Sequence, residues 1–332
     1  MDSTEWAQVA ENAVRSQYLR PLLALPRAVL ATPRPARPYP VHLLIGRWNY
    51  WWQAQLLDAM VDAQQRAADP RRRHLCAHLV SGIRLRNGSW TNNYHDDMAW
   101  LALALQRDTA VNSHDHGTAL ARLAGHLIAE LDPAGMLTWR CGDSFRNVPA
   151  NAPAAIMFAR SGQPQLAQRI VGVLLRDQQD PETGLMIDGI HADGRRVTEF
   201  YTYCQGVMIG ALTELAVVTG DRGYADTATE LVDAVAAHMT IDGVLHGQGA
   251  GDGGLFAGIL ARYLADAARR LGTTVAGQLV RDSAAAAWQN RRKRDRQLPA
   301  FSVEWRESGG YSPDLSVQLS AWMLFEAAAT LD

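Results

Sequence analysis

Thr91-Asn-Asn-Tyr-His-Asp-Asp-Met-Ala-Trp100 runs straight on into Leu-Ala-Leu-Ala-Leu105. A polar loop here turns into a helix capped by Asn92 or Asn93, with Asp96 and Asp97 in or near its first turn. From Met98 onward the run is apolar on every side, which marks a helix buried all round rather than one lying on a surface. The two aspartates therefore enter a deep site. The helix N-terminus favours an anion, while the first charge raises the proton affinity of the second group. On its own, an Asp-Asp pair at a helix start is a capping feature, so the rest of the chain has to decide its meaning.

Similar changes from polar to apolar recur near Trp48, Asp96, Pro149, Tyr203, Asp252 and Asp314. The intervals are roughly 50 to 60 residues, a period that marks a repeat-built fold. Between these starts lie one-faced amphipathic helices: Thr4 to Arg20, Arg71 to Arg86, His116 to Leu131, Gln163 to Gln178, Asp221 to Met239 and Val275 to Arg291. Asn151 and Pro153 read as the cap and first turn of the helix that follows Asn147. Gly206 and Gly210 leave room for another backbone to approach. The stretch from Pro21 to Pro40 is a Pro- and Arg-rich connector, and strand signals are confined to a small hairpin near Leu185 to Arg195. Six all-round apolar helices beside six one-faced ones predict an all-α, single-domain toroid over residues 1–332, an inner ring inside an outer ring. The loops leading into the inner helices then gather at one mouth, and the Asp-Asp pair becomes a site candidate.

Bulk properties narrow the function. The 332 residues are 48% hydrophobic and 20% charged, so a large core is available and disorder is excluded. A formal charge of -2 gives no case for nucleic acid or an anionic membrane surface. Lys293 is the sole lysine, which weakens any mechanism built on a lysine. Cys76, Cys141 and Cys204 form no C-x-x-C spacing, and no H-E-x-x-H is present, so neither a disulfide framework nor a metal site is expected. The glycine-rich Gly247-Gln-Gly-Ala-Gly-Asp-Gly-Gly254 lacks the lysine of a phosphate-binding loop. The acidic N-terminus has no basic-then-apolar export order, and no segment is long enough to span a membrane, so the chain reads as cytoplasmic.

Neighbouring aspartates hold their carboxyls several Å apart, near the roughly 5 Å separation used in glycosyl transfer with retention. One ionised and one protonated carboxyl is what that chemistry needs. Trp48-Asn49-Tyr-Trp-Trp52 offers rings that serve equally as core or as platforms for sugar faces, and Trp139, Asn151, Tyr203, Gln205 and Asp252 stand at the mouth as candidate substrate contacts. His42, His95, His191 and His246 lie near the same loops, where a pair would suit an epimerase.

Six stretches together resemble a known family: Trp48–Trp52, Tyr94–Trp100, Asn147–Pro153, Tyr201–Ala211, Asp252–Gly258 and Asp314–Leu319. They are similar, in order and spacing, to glycoside hydrolase family 76, the endo-α-1,6-mannanases. The resemblance implies an (α/α)6 barrel, retaining hydrolysis of α-1,6-linked mannose polymers, Asp96 as nucleophile, Asp97 as acid/base, and no metal or cofactor. Two departures stand out: Cys204 replaces the Asn that usually precedes Gln-Gly, and Asn151-Ala-Pro153 replaces Asn-Gly-Pro. A transglycosylase, a non-catalytic mannan-binding protein and a sugar epimerase are the rival readings on the same barrel.

Overall fold

The computed structural model describes residues 2–22, 25, 27–35, 48–292 and 298–332. His42 and Lys293, and most of the Pro21 to Pro40 connector beyond Pro35, lie outside the described residues. The first half of the chain forms helices α1 (Ser3–Tyr18), α2 (Tyr50–Arg66), α3 (Pro70–Asn87), α4 (His95–Asn112), α5 (Gly117–Ala129) and α6 (Val148–Arg160). The second half forms α7 (Pro164–Gln178), α8 (Thr202–Thr219), α9 (Arg222–His238), α10 (Phe256–Leu271), α11 (Thr274–Asn290) and α12 (Leu315–Ala329).

The even-numbered helices make the inner ring. Each packs on the next, from α2 through α4, α6, α8 and α10 to α12, and α12 returns to α2. The outer helices back them: α3 lies on α2, α5 on α4, α7 on α6, α9 on α8, α11 on α10, and α1 on α12. Sequence pattern explains the division. In α12 every residue from Leu315 to Ala328 is buried, whereas α5 buries only Ala119, Leu123 and Leu127, a single stripe four residues apart. Inner helices touch over small residues. A Cβ on Gly206 would sit 2.7 Å from the Leu260 Cα of α10, one on Gly210 would strike the Tyr263 ring, and one on Gly258 would sit 2.7 Å from the Ser320 Cα of α12.

Strand content exceeds the single hairpin expected. There is an antiparallel pair β1 (Leu19–Pro21) and β2 (Val29–Ala31), a three-stranded sheet β3 (Arg146–Asn147), β4 (Gly189–Ile190) and β5 (Arg196–Val197), and a pair β6 (Thr240–Ile241) and β7 (Val244–Leu245). The last turns at Asp242-Gly243, both with positive φ (53° and 76°), the Asp-Gly conformation of a tight hairpin. Strands this short carry no alternation to read. Pairing of β3 with β4 joins Asn147 to Gly189, and this holds the chain extended up to Asn147. That residue, not Asn151, then caps α6 by accepting from the Ala150 N–H at 3.3 Å. Pro149 takes the first-turn position, and Pro153 lies inside the helix. Tyr94, not an asparagine, occupies the N-cap of α4 and makes no side-chain cap bond.

Candidate active site

Segments leading into five of the six inner helices open a cleft of about 920 Å3 at the N-terminal end of the ring. The sixth is closed off: Asp314, before α12, accepts from Arg34 Nε at 2.8 Å and from the Gly251 N–H at 3.1 Å. Asp96 and Asp97 lie in the first turn of α4 and both line the cleft, Asp96 half-buried and Asp97 buried. Asp143, Asp188 and Asp252 line it too, with ten aromatic residues that include Trp48, Trp51, Trp139 and Tyr203. Tyr203 and Phe256 stack face to face at 3.9 Å. Neither Arg nor Lys appears among the described lining residues.

Two donors hold Asp96. Its Oδ1 accepts the Asp97 N–H at 2.8 Å and its Oδ2 the indole N–H of Trp139 at 3.0 Å. Burial outweighs these bonds and, with the charge of Asp188 added, pushes the Asp96 carboxyl up to about 7. Asp97 accepts from Asn92 Nδ2 at 2.6 Å. Burial, then the charge of Asp96 and that of Asp252, drive it well above the usual carboxylate range. Two carboxylate neighbours, Asp96 and Asp252, raise Asp97, against one, Asp188, for Asp96, and this favours the proton on Asp97. Asn92 is thus a partner of the pair rather than a helix cap. Asp188 is pushed up to about 6 by burial, with only the weak S–H donor of Cys204 at 3.8 Å opposing. An Asn amide there, as the family resemblance leads one to expect, would be a stronger donor.

Trp48, Asn49, Trp139, Tyr203 and Asp252 are all on the lining. Asp252 accepts from the Trp52 indole at 2.8 Å. Asn151 and Gln205 are not; both are fully buried behind it. Asn151 accepts from the Leu137 N–H and donates to the Leu137 carbonyl, both at 2.8 Å. Gln205 does the same to Met186 at 2.7 and 2.8 Å. Gln53 pairs with Ala31 and Gln318 with Phe301 in the same way. Four inner helices therefore each use one buried amide to pair with both backbone groups of a residue outside the helices, as a strand neighbour would. Such amides satisfy loops that have no other partner at that depth. Of His95, His191 and His246, only His191 lines the cleft, stacked on Phe145 at 4.6 Å, so no histidine pair is assembled there among the described residues. Asp188, Phe145 and Tyr201 also line the cleft but were not among the expected contacts. Tyr201 opens one of the six family-like stretches, while Asp188 and Phe145 had only their place in the loops before α8 and α6 as a signal.

A closed double ring of helices with a cleft of aromatic rings and carboxylates at one end defines an (α/α)6-barrel carbohydrate-active protein. The chain matches glycosyl hydrolase family 76 over residues 36–332 and belongs to that family. No curated protein matches it in sequence. Among solved structures it is similar to the GH76A α-1,6-mannanase of Salegentibacter sp. HEL1_6, at 27% identity over the whole of both chains with a TM-score of 0.88. A variant of that enzyme, inactive through Asp-to-Asn changes at two consecutive positions, is in complex with α-1,6-mannotriose. The Lin0763 protein of Listeria innocua is similar at 25% identity over 100% of this chain and 98% of that one, with a TM-score of 0.87. Dfg5 of Chaetomium thermophilum shares the fold at 16% identity, 99% and 90% coverage and a TM-score of 0.79. No described helix is long and apolar enough to cross a membrane.

A carboxyl whose pKa is raised by folding contributes its full stability below the unfolded value of about 3.9, and that contribution is lost as pH rises through the folded value. Asp97→Asn removes the lost term while keeping an acceptor for Asn92. We expect a Tm at pH 8 higher than the parent's by about 2 °C or more, with the gap closing toward pH 4. A variant that melts at or below the parent at pH 8 would contradict the placement of Asp97.

Proposed function

We propose that the chain is a retaining hydrolase of α-1,6-linked mannose polymers, cutting within the chain. The observation that carries this is the adjacent pair in the cleft, Asp96 accepting from an indole and an amide N–H and Asp97 raised well above the usual carboxylate range. Asp97 gives its proton to the glycosidic oxygen as Asp96 attacks the anomeric carbon. Water then gives a proton back to Asp97 while its oxygen displaces Asp96 from the sugar. With aromatic faces and no cation on the lining, the cleft suits a neutral sugar polymer better than an anionic one. The α-1,6-mannotriose held by the Salegentibacter relative supports mannose as that sugar, and Asp96-Asp97 is the only adjacent aspartate pair in this sequence. A purely binding module would gain nothing from two carboxyls kept from water beside each other, since they weaken the fold.

The direct test is release of manno-oligosaccharides from unbranched α-1,6-mannan. Asp96→Asn and Asp97→Asn should each lower turnover by on the order of 10³-fold or more. With an aryl mannoside whose leaving group needs no protonation, Asp97→Asn should still form the glycosyl-enzyme, and Asp96→Asn should not. Binding of mannan without release by the parent would select the binding reading, and substantial turnover in either variant would remove its assigned role.

A second outcome concerns pH. Because Asp96 must be ionised, kcat/KM should fall as pH drops below about 7. The negative charge of Asp188 contributes to that value, so Asp188→Asn should move the acidic limb to lower pH. A limb already near the ordinary carboxylate value of about 3.9, or one unmoved by the substitution, would refute this electrostatic account.

A further inference from the structure

Behind the cleft, three segments bring nitrogen and sulfur donors to one point. His95 opens α4, His126 lies on the outer helix α5, and Cys141 belongs to the loop that carries Trp139. Cys141 Sγ is 3.5 Å from His95 Nε2 and 3.9 Å from His126 Nε2, and Glu130 Oε2 is 3.8 Å from His95 Nε2. Four-coordinate zinc, with bonds of about 2.0–2.1 Å to nitrogen and about 2.3 Å to sulfur, sets its ligand atoms about 3.3–3.6 Å apart. The donor atoms of His95, His126 and Cys141 all lie within 4.8 Å of one another, so a modest contraction would close three positions of such a shell.

The tautomer of His95 is fixed for this purpose. Its Nδ1 lies 2.7 Å from the Thr138 carbonyl, which only accepts, so Nδ1 carries the hydrogen and Nε2 turns a lone pair toward Cys141 and Glu130. A hydrogen bond from the far ring nitrogen to a carbonyl is the usual support of a metal-bound histidine. His126 lies in the last turn of α5, and Glu130 follows as its C-cap. Glu130 is exposed, which gives an ion a route from solvent, while His95 is fully buried. The other His-rich group is built differently: His114 and His116 both spend a ring nitrogen on Asp108 Oδ2, at 2.8 and 2.6 Å.

We propose that His95, His126 and Cys141 bind one divalent transition metal of the zinc class, with water in the fourth position on the side of Glu130, the Cys141 thiol proton passing to solvent as the sulfur–metal bond forms. This revises the expectation of no metal site, which rested on sequence spacing and could not register ligands drawn from three separate segments. The metal would tie down the loop whose backbone already meets α4, through the His95 N–H to the Trp139 carbonyl and the Cys141 N–H to the Asn93 carbonyl, both 3.0 Å. Its role toward Asp96 is positioning, through Trp139.

The test is titration of tag-free, chelator-treated full chain with Co2+ alone, a readout independent of glycan cleavage. We expect saturation at one equivalent, with the visible bands of four-coordinate cobalt and a near-ultraviolet thiolate charge-transfer band, both bleached by Zn2+. Cys76 and Cys204 are buried, so Cys141→Ser should abolish the charge-transfer band, and His126→Ala should weaken binding by at least about tenfold. Absence of saturable binding would overturn the proposal. So would a spectrum that neither substitution alters, which would place the metal elsewhere, with Asp108, His114 and His116 the first place to look.

Discussion

Two carboxyl groups of the same sign, side by side and largely out of water at the start of a buried helix, are the constraint that the surrounding structure serves. Each alone would lose hydration on entering the site, and together they repel. The fold answers with a small number of fixed donors: the Asp97 N–H and the Trp139 indole on Asp96, and the Asn92 amide on Asp97. These donors do not cancel the cost, and both carboxyls remain raised. The remaining cost is what separates the two groups into an anion and an acid. Stability must then come from elsewhere, and the closed ring of small-residue contacts between inner helices is where it is found.

Away from the cleft, two deeply placed acidic groups have the opposite character. Asp62 meets Arg262 at 2.8 Å and is also bonded by Arg107. Burial raises its carboxyl, but the two guanidinium groups outweigh burial and hold it below the ordinary range. Glu11, bonded by Arg72 and Arg15 at 2.7 Å each, is held low in the same way. Arginine makes the difference. There the buried acids are paired with cations, as buried charges require, while the described lining of the cleft has none. One residue type thus acts as structural ion away from the cleft and as chemistry within it.

The helical architecture was legible because its signal is long-range and redundant: all-round apolar runs alternating with one-faced helices leave few other ways to bury the apolar surface. Asp96 and Asp97 were legible for the same reason, since they stand where such a run begins. What failed was local and polar. Asn151 and Gln205 looked like mouth residues because amides near helix starts so often face a ligand, yet their buried amides serve Leu137 and Met186. Nothing in single-sequence spacing separates an amide that binds a sugar from one that stands in for a strand. Asp188 and Cys141 escaped because their partners, Cys204 for the one and His95 and His126 for the other, are set by loop paths around the barrel. The hairpin at Asp242-Gly243 did carry a readable signal, the turn dipeptide itself, though its two-residue strands hid it.

The central claim is that two adjacent carboxyls divide nucleophile and acid between them. It is tested most directly by the anomeric configuration of the first product released from α-1,6-mannan, followed by proton NMR before mutarotation. Inverting enzymes place a water between sugar and base, with carboxyls about 6.5–9.5 Å apart, a wider spacing than adjacent residues are expected to give. On the proposed pathway the sugar passes through a bond to Asp96, and the account predicts an α product that turns slowly to the equilibrium mixture. A first product in the β configuration would contradict it, removing Asp96 as nucleophile and making Asp252, the more distant carboxyl on the same lining, the next base to test.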